Sequence, residues 1–354
     1  MARVHNDGYY VLDLTIDLSN EQEDAKKVLR IVRPDWDLDN IKIKHFNDGI
    51  TNKLFGVSLL NDPEDVVMFR IFGEKTELII DRDAERQTFV KLFATGSSPP
   101  LYCAFNNGMA YGFVKGQTLG LDMVTEEKIY RQVTKEMVKI HSLENTDKEQ
   151  KTYLYHKLNN YIEALPSSFA NPKQQDRYST KIPSQEKLFL EVAEIKSHLE
   201  ALKSPIVFCH NDLLLNNIIY DKKADKVGFI DYEYAFYNYQ AYDIADHFAE
   251  FAGIDVVDYD RYPSKEFQLK WLKVYLENWF EAKGHKASDV TSTDIERLYV
   301  QVNKCVLATH LFWGVWGIIQ AKNSSIDFDF LEYAQIRFDE YFRRKDAFLS
   351  LVLP

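Results

Sequence analysis

Apolar positions along the first third of the chain recur with a period of two, in short runs broken by turn residues. Tyr10 to Ile16 and Ile41 to Phe46 alternate in this way, and Leu54 to Leu60 and Val66 to Phe72 are two further strand candidates, joined by Asn61-Asp62-Pro63. Leu101 to Phe105 and Met109 to Val114 flank Asn106-Asn107-Gly108, which is a hairpin signal. Helical spacing interrupts the strands twice. Ser19 and Gln22 resemble a capping box, and Ala25, Val28, Leu29 and Val32 continue at i, i+3, i+4 and i+7 until Pro34 ends the run. Asp83 to Phe93 is the second helix. The first ~115 residues therefore predict a mostly antiparallel sheet crossed by helix.

Beyond this point the period lengthens to that of an α-helix. Helices are expected over Glu126 to His141, Lys148 to Leu165, Gln185 to Leu202, Ala241 to Phe251, Glu266 to Lys283, Thr293 to Gln320 and Phe330 to Phe342. Two short extended stretches interrupt the series. Ile206 to Phe208 leads into a loop, and Ile218 to Tyr220 pairs with Val227 to Ile230 across a turn at Asp221 to Asp225. The pattern is α+β, with a β-rich N-terminal lobe over residues 1–115 and a mainly helical C-terminal lobe over 116–354.

The chemistry concentrates around the extended interruptions. After Ile206-Val207-Phe208 comes His210-Asn211-Asp212-Leu213-Leu214-Leu215-Asn216-Asn217, a pattern H-x-D-x-x-x-x-N. Phosphoryl transfer needs a carboxylate to orient the attacking hydroxyl and accept its proton, with an oxygen ligand for Mg²⁺ nearby. Asp212 suits the first task and Asn217 the second. Asp231, in Phe229-Ile230-Asp231-Tyr232-Glu233 at the end of the hairpin's second strand, supplies a second hard oxygen ligand. A lone Asp-x-x-x-x-Asn would read as a turn cap. The preceding strand, the hairpin and Asp231 together favour catalysis. His210 reads as a residue that orients the loop through hydrogen bonds.

These residues resemble the choline/ethanolamine kinase family, relatives of the aminoglycoside phosphotransferases and of the protein-kinase fold. The resemblance extends through Ile230-Asp231-Tyr232-Glu233-Tyr234, Tyr242-Asp243-Ile244, His247-Phe248 and Phe312-Trp313-Gly314-Val315-Trp316, and covers most of the chain from Gly49 to Phe342. It implies a protein-kinase-like two-lobe fold and ATP-dependent phosphorylation of an amino alcohol, with Mg²⁺. Asn211-Asp212-Leu213-Leu214, Glu250-Phe251-Ala252-Gly253 and Phe105-Asn106-Asn107-Gly108 are closer to the branch that acts on ethanolamine, the first step of one route to phosphatidylethanolamine, than to the choline branch. A choline or dual-substrate enzyme is the alternative.

The same resemblance implies further roles. Gly49 to Phe55, with Asn52, would cover the phosphates. Arg70 would neutralise them with Glu85 as its helix partner, and an arginine there can bind phosphate in bidentate fashion. The adenine would lie along Tyr111 to Val114, meeting the backbone of Gly112, Phe113 and Val114. Trp313, Trp316, Phe328 and Tyr333 would form an aromatic pocket that attracts the ammonium by cation–π interaction, with Glu250 as a nearby carboxylate. Choline kinases of this family are often dimers, so homodimerisation stays open, although no interface signal is read from the sequence.

Composition narrows the picture further. Among 354 residues the formal net charge is -11 and the pI about 5.4, which disfavours nucleic acid as a partner. Cys103, Cys209 and Cys305 show neither zinc spacing nor a disulfide framework, as expected in a reducing compartment. Met1 to Gly8 lacks an apolar signal core. Val306 to Ile319 is apolar but short for a bilayer and contains Thr309 and His310, so it reads as a buried helix rather than a membrane insertion. The expected location is the cytoplasm.

Overall fold

The computed structural model describes residues 2–46, 52–73, 76, 80–144, 151–254, 256–324 and 326–354. The chain forms two compact units. One comprises Met1–Gly116 with Ser324–Ile326, the other Gln117–Asn323 with Asp327–Pro354.

The first unit is built on a seven-stranded sheet. Its strands are β1 (Ala2–Val4), β2 (Tyr10–Leu12), β3 (Ile41–Phe46), β4 (Lys53–Leu59), β5 (Val66–Ile71), β6 (Leu101–Phe105) and β7 (Gly108–Gly112), in the spatial order β1-β2-β6-β7-β5-β4-β3. Every pairing is antiparallel except β2 with β6. Alternation along the strands sends successive side chains to opposite faces. Ala110 joins a core with Phe55, Val57 and Phe69 that also holds Ala25, Val28 and Leu29 of α1 (Glu21–Val32). Its neighbour Met109 faces the other way and packs with Phe89 of α2 (Arg82–Ala94).

Several boundaries differ from the sequence expectation. The strand from Tyr10 ends at Leu12. The capping box of Ser19 and Gln22 does not form: the N-cap of α1 is Asn20, without a side-chain cap, and Asp17 instead caps the 3₁₀ turn Leu18–Asn20 before it. Asp17 accepts from the Ser19 main-chain N–H at 2.9 Å, and its own N–H donates to Asp24 Oδ2 at 2.9 Å. β7 stops at Gly112, so Phe113 and Val114 follow the strand instead of lying in it. Pro99 and Pro100 crowd this point: a Cβ on Gly112 would stand 3.0 Å from Pro100 Cδ and press on both rings, while its N–H reaches Pro100 O at 2.9 Å.

The second unit contains β8 (Gln117–Thr118), β9 (Ile206–Cys209), β10 (Ile218–Asp221), β11 (Lys226–Phe229) and β12 (Phe236–Tyr239), with helices α3 (Leu121–Val124), α4 (Glu127–His141), α5 (Leu154–Glu163), α6 (Pro172–Lys181), α7 (Gln185–Ala201), α8 (Gln240–Ala249), α9 (Lys265–Ala282), α10 (Ser292–Asn323) and α11 (Phe330–Leu349). Helix α10 is the axis of the core and is buried from Val300 to Gln320. By length and composition it could cross a membrane, but its apolar window is wholly buried within the protein. Gly314 and Gly317 let α11 approach, since a Cβ on Gly314 would lie 2.7 Å from Phe338 Cε1. Strand β12 and helix α6 were not anticipated. α6 has no buried residue and hence no apolar period, although Asn171-Pro172 is a recognisable start in which the Asn171 side chain accepts from Lys173 N and Gln174 N.

Candidate active site

In the second unit the loop after β9 is held from below by α8. Asp243 accepts main-chain N–H groups from His210 at 2.9 Å and Asn211 at 2.6 Å, and the Nε2–H of His141 at 2.9 Å. Burial alone would raise its pKa. The hydrogen bond and charge of His141 and the main-chain donors outweigh burial and hold the carboxyl below its ordinary value. Asn211 has φ 64°, in the left-handed region that asparagine tolerates better than most residues. Its side chain donates toward the carbonyls of Cys209, Tyr234 and Phe236 and accepts from Asn238 Nδ2 at 2.8 Å. The loop's shape is thus fixed by side chains that face away from solvent.

The fixed loop presents Asp212 and Asn217. The Asn217 amide N–H donates to Asp212 O at 2.8 Å and lies 3.3 Å from Asp212 Oδ2. This commits the NH₂ side of the amide and turns its oxygen the other way. Asp231, half-buried with φ 65°, follows β11. It is tied to the loop through its neighbour Ile230, whose N–H donates to Asn217 O at 3.0 Å and whose carbonyl accepts from His210 Nε2 at 2.8 Å. Burial lowers the His210 pKa, so the ring is neutral and serves to hold the loop. Asp212 is pushed well above the ordinary range by burial, then by the negative charges of Asp246, Asp231, Glu250 and Glu233. The amide oxygen of Asn217 and the carboxylate of Asp231 are hard oxygen donors, a set that fits Mg²⁺.

Trp313 and Trp316 stand one turn apart on α10, with ring centroids 5.5 Å apart at 80°. Tyr333 lies 6.0 Å from Trp316, and the half-buried Phe328 lies 5.9 Å from Tyr333. The four expected aromatics are therefore neighbours. A fifth, Tyr234, was not singled out. It packs edge-on to Trp313 at 5.1 Å and accepts from Trp316 Nε1–H at 2.7 Å. The charge of Asp212 reaches Tyr234 and Tyr333 and raises their pKa values further, beyond the larger effect of burial. Glu250 is buried, and its carboxylate is already paired with the Arg337 guanidinium of α11. Asp246, one turn before Glu250 on α8, is wholly buried and was also missed. The signal was present, because Asp243 and Asp246 of α8 and Glu250 just after it recur at i, i+3 and i+7 among mostly apolar residues. Acids are rarely buried without a task.

In the first unit Arg70 of β5 and Glu85 of α2 form a buried ion pair at 2.9 Å. Glu85 also binds Arg82 at 2.8 Å, a second arginine that was not expected there, and the Arg82 guanidinium rests 3.9 Å above the Phe72 ring. Asn52 is buried just before β4. The rest of the expected phosphate-covering segment, residues 49–51, lies outside the described residues. Gly112 is buried, and Phe113 and Val114 are half-buried.

Residues 43–342 match a family model described as choline/ethanolamine kinase. The chain is 45% identical over 347 residues to ethanolamine kinase 1 of Mus musculus, covering 97% of this chain and 95% of the relative. Among solved structures, a Plasmodium vivax ethanolamine kinase superposes with a TM-score of 0.79 at 25% identity, over 92% of this chain and 89% of that one. A choline kinase from Cryptosporidium parvum shares the fold, with a TM-score of 0.74 at 24% identity over 92% and 95% of the two chains. The fold is protein-kinase-like, and the chain belongs to the choline/ethanolamine kinase family.

Proposed function

We propose that the protein transfers the γ-phosphoryl group of ATP to the hydroxyl of ethanolamine in the cytoplasm, an early step toward a phospholipid headgroup. The observation that carries this reading is the junction, within one unit, of the Asp212 loop with an aromatic box bordered by buried carboxylates. A small cationic alcohol matches both halves. Its ammonium suits the rings and the negative charge, and its hydroxyl suits a carboxylate. The 45% identity to ethanolamine kinase 1 of Mus musculus supports the same substrate.

Asp212 orients the hydroxyl and takes its proton as the oxygen attacks. A raised pKa suits that task, because it brings the base closer to the working pH. Asn217 and Asp231 would hold Mg²⁺, which would supply positive charge to offset that of the phosphates. Arg70, fixed by Glu85, contributes a guanidinium to the phosphates, and Asn52 supports the segment that covers them. The backbone of Gly112, Phe113 and Val114 receives the adenine. Trp313, Trp316, Phe328 and Tyr333 enclose the ammonium end, with Glu250 as part of the acidic border. Catalysis of this kind rests on positioning and electrostatics.

The test is direct product identification. Purified protein with Mg²⁺-ATP and ethanolamine, followed by phosphorus NMR, is expected to yield phosphoethanolamine and ADP in equal amounts. ATP consumption without phosphoethanolamine would contradict the proposal.

A further inference from the structure

The ammonium of an amino alcohol needs a negative charge that the protein has not already neutralised. Among the buried acids of α8 and its C-cap, Asp243 is occupied by His141 and two main-chain N–H groups, and Glu250 is occupied by Arg337. Asp246 differs from both. Its Oδ2 accepts the Leu213 N–H at 2.8 Å and its Oδ1 accepts the Trp313 Nε1–H at 2.8 Å. Both donors are neutral, and no cationic side chain pairs with Asp246 among the described residues.

The two donors belong to the two halves of the site. Leu213 directly follows Asp212, and its carbonyl is also gripped by His247 Nδ1 at 3.2 Å. Trp313 is a wall of the aromatic box. A single carboxylate thus joins the loop that activates the hydroxyl to the ring that meets the ammonium. Each carboxylate oxygen serves one of the two donors. An asparagine has one acceptor, and its NH₂ would face either the Leu213 or the Trp313 N–H.

We infer that Asp246 is a positioning and charge-selecting residue of the amino-alcohol site: it locks the catalytic loop to the aromatic box and provides the negative charge that a bound ammonium neutralises. The inference rests on the amino-alcohol kinase reading above and adds a residue to it. Burial, Glu250 and Asp243 all oppose a charge on Asp246, while its two donors favour one. A bound cation removes that conflict. Without it, Asp246 keeps two neutral donors and the opposing charge of Glu250, whose own partner is Arg337.

The experiment compares wild type, Asp246→Asn and Trp313→Phe, each as the full chain. It measures KM for ethanolamine, KM for Mg²⁺-ATP, and inhibition by ethylammonium, which has the charge but no hydroxyl. For Asp246→Asn, KM for ethanolamine and Ki for ethylammonium are expected to rise at least tenfold, with KM for Mg²⁺-ATP within twofold of wild type. Trp313→Phe retains the carboxylate and an aromatic ring but loses the tether, and is expected to raise the same two constants by a smaller factor. Wild-type constants in Asp246→Asn, or an equal loss of ATP affinity, would overturn the inference. Should Asp246→Asn not fold, wild-type constants in Trp313→Phe would overturn it instead. A wild-type protein that leaves ethanolamine unphosphorylated would refute the substrate reading, whereas turnover with an unaltered Ki in the variant would refute only the role of Asp246.

Discussion

Asp212 is a buried acid held beside other acids, so in the empty protein it is a liability to the fold as well as the base of the proposed reaction. Its folded pKa lies above the unfolded value. Unfolding therefore releases a proton over the interval between the two, and stability falls as pH rises through it. Asp212→Asn is expected to abolish turnover and yet raise the melting temperature at neutral pH by roughly 2–4 °C, the shift worth ~1 kcal/mol in a domain of this size. The gain should vanish below the ordinary aspartate value of 3.8, where the acid is protonated in both states. Thermal melts at pH 7 and at pH 3.5 check this, and a variant less stable than wild type at neutral pH would contradict it. Stability given up for a functional site is a common trade.

The residues most legible in the sequence are those whose partners lie close along the chain. Asp212 and Asn217 are five apart, and Asp231 ends the next hairpin, so loop, strand and acid could be read as one pattern. Arg337 and Asp246 were not legible in this way. Glu250 meets Arg337 across 87 positions, and Trp313 meets Asp246 across 67. No local pattern encodes such pairings. Glu250 was expected as a carboxylate beside the aromatic pocket, and its pairing with Arg337 appears only once α11 is packed against it. Arg82 escaped notice because a charged residue at the start of a helix usually faces water, whereas here it shares Glu85 with Arg70.

At the level of elements, the hairpin of β6 and β7 and the long buried helix α10 followed from alternation and from length, since those elements bury apolar side chains at a regular period. Elements with little to bury were lost. α6 exposes most of its residues, and β1 is exposed throughout. Strand β12 alternates too briefly to be told from a loop and exists because β9 pairs with it. The contact between α10 and α11 depends on glycine at the crossing. Gly314→Ala would improve intrinsic helix propensity, but its methyl group would press on the ring of the buried Phe338. Overpacking at a buried crossing usually costs about 1–3 kcal/mol. The variant is expected to lose that much in urea unfolding, and a stability equal to wild type would show that the Phe338 ring can move aside.

For the molecule as a whole, the α+β class was visible in the change of hydrophobic period near residue 115. Substrate choice was not, because it depends on how much negative charge remains open in a box whose walls come from α10, α11 and the segment after β11. The second unit holds the proposed base, the Mg²⁺ donors and the ammonium box. The first holds the Arg70–Glu85–Arg82 cluster. A primary ammonium offers three N–H donors to the oxygens that border the box, and a trimethylammonium offers none. The two amino alcohols should therefore be told apart by acceptor geometry more than by charge.

The most direct test is kcat/KM for ethanolamine and for choline, measured side by side at saturating Mg²⁺-ATP. The account predicts a preference for ethanolamine of at least tenfold, equivalent to about 1.4 kcal/mol of transition-state discrimination. Equal values, or a preference for choline, would contradict it and show that the box recognises a cation by its aromatic faces alone.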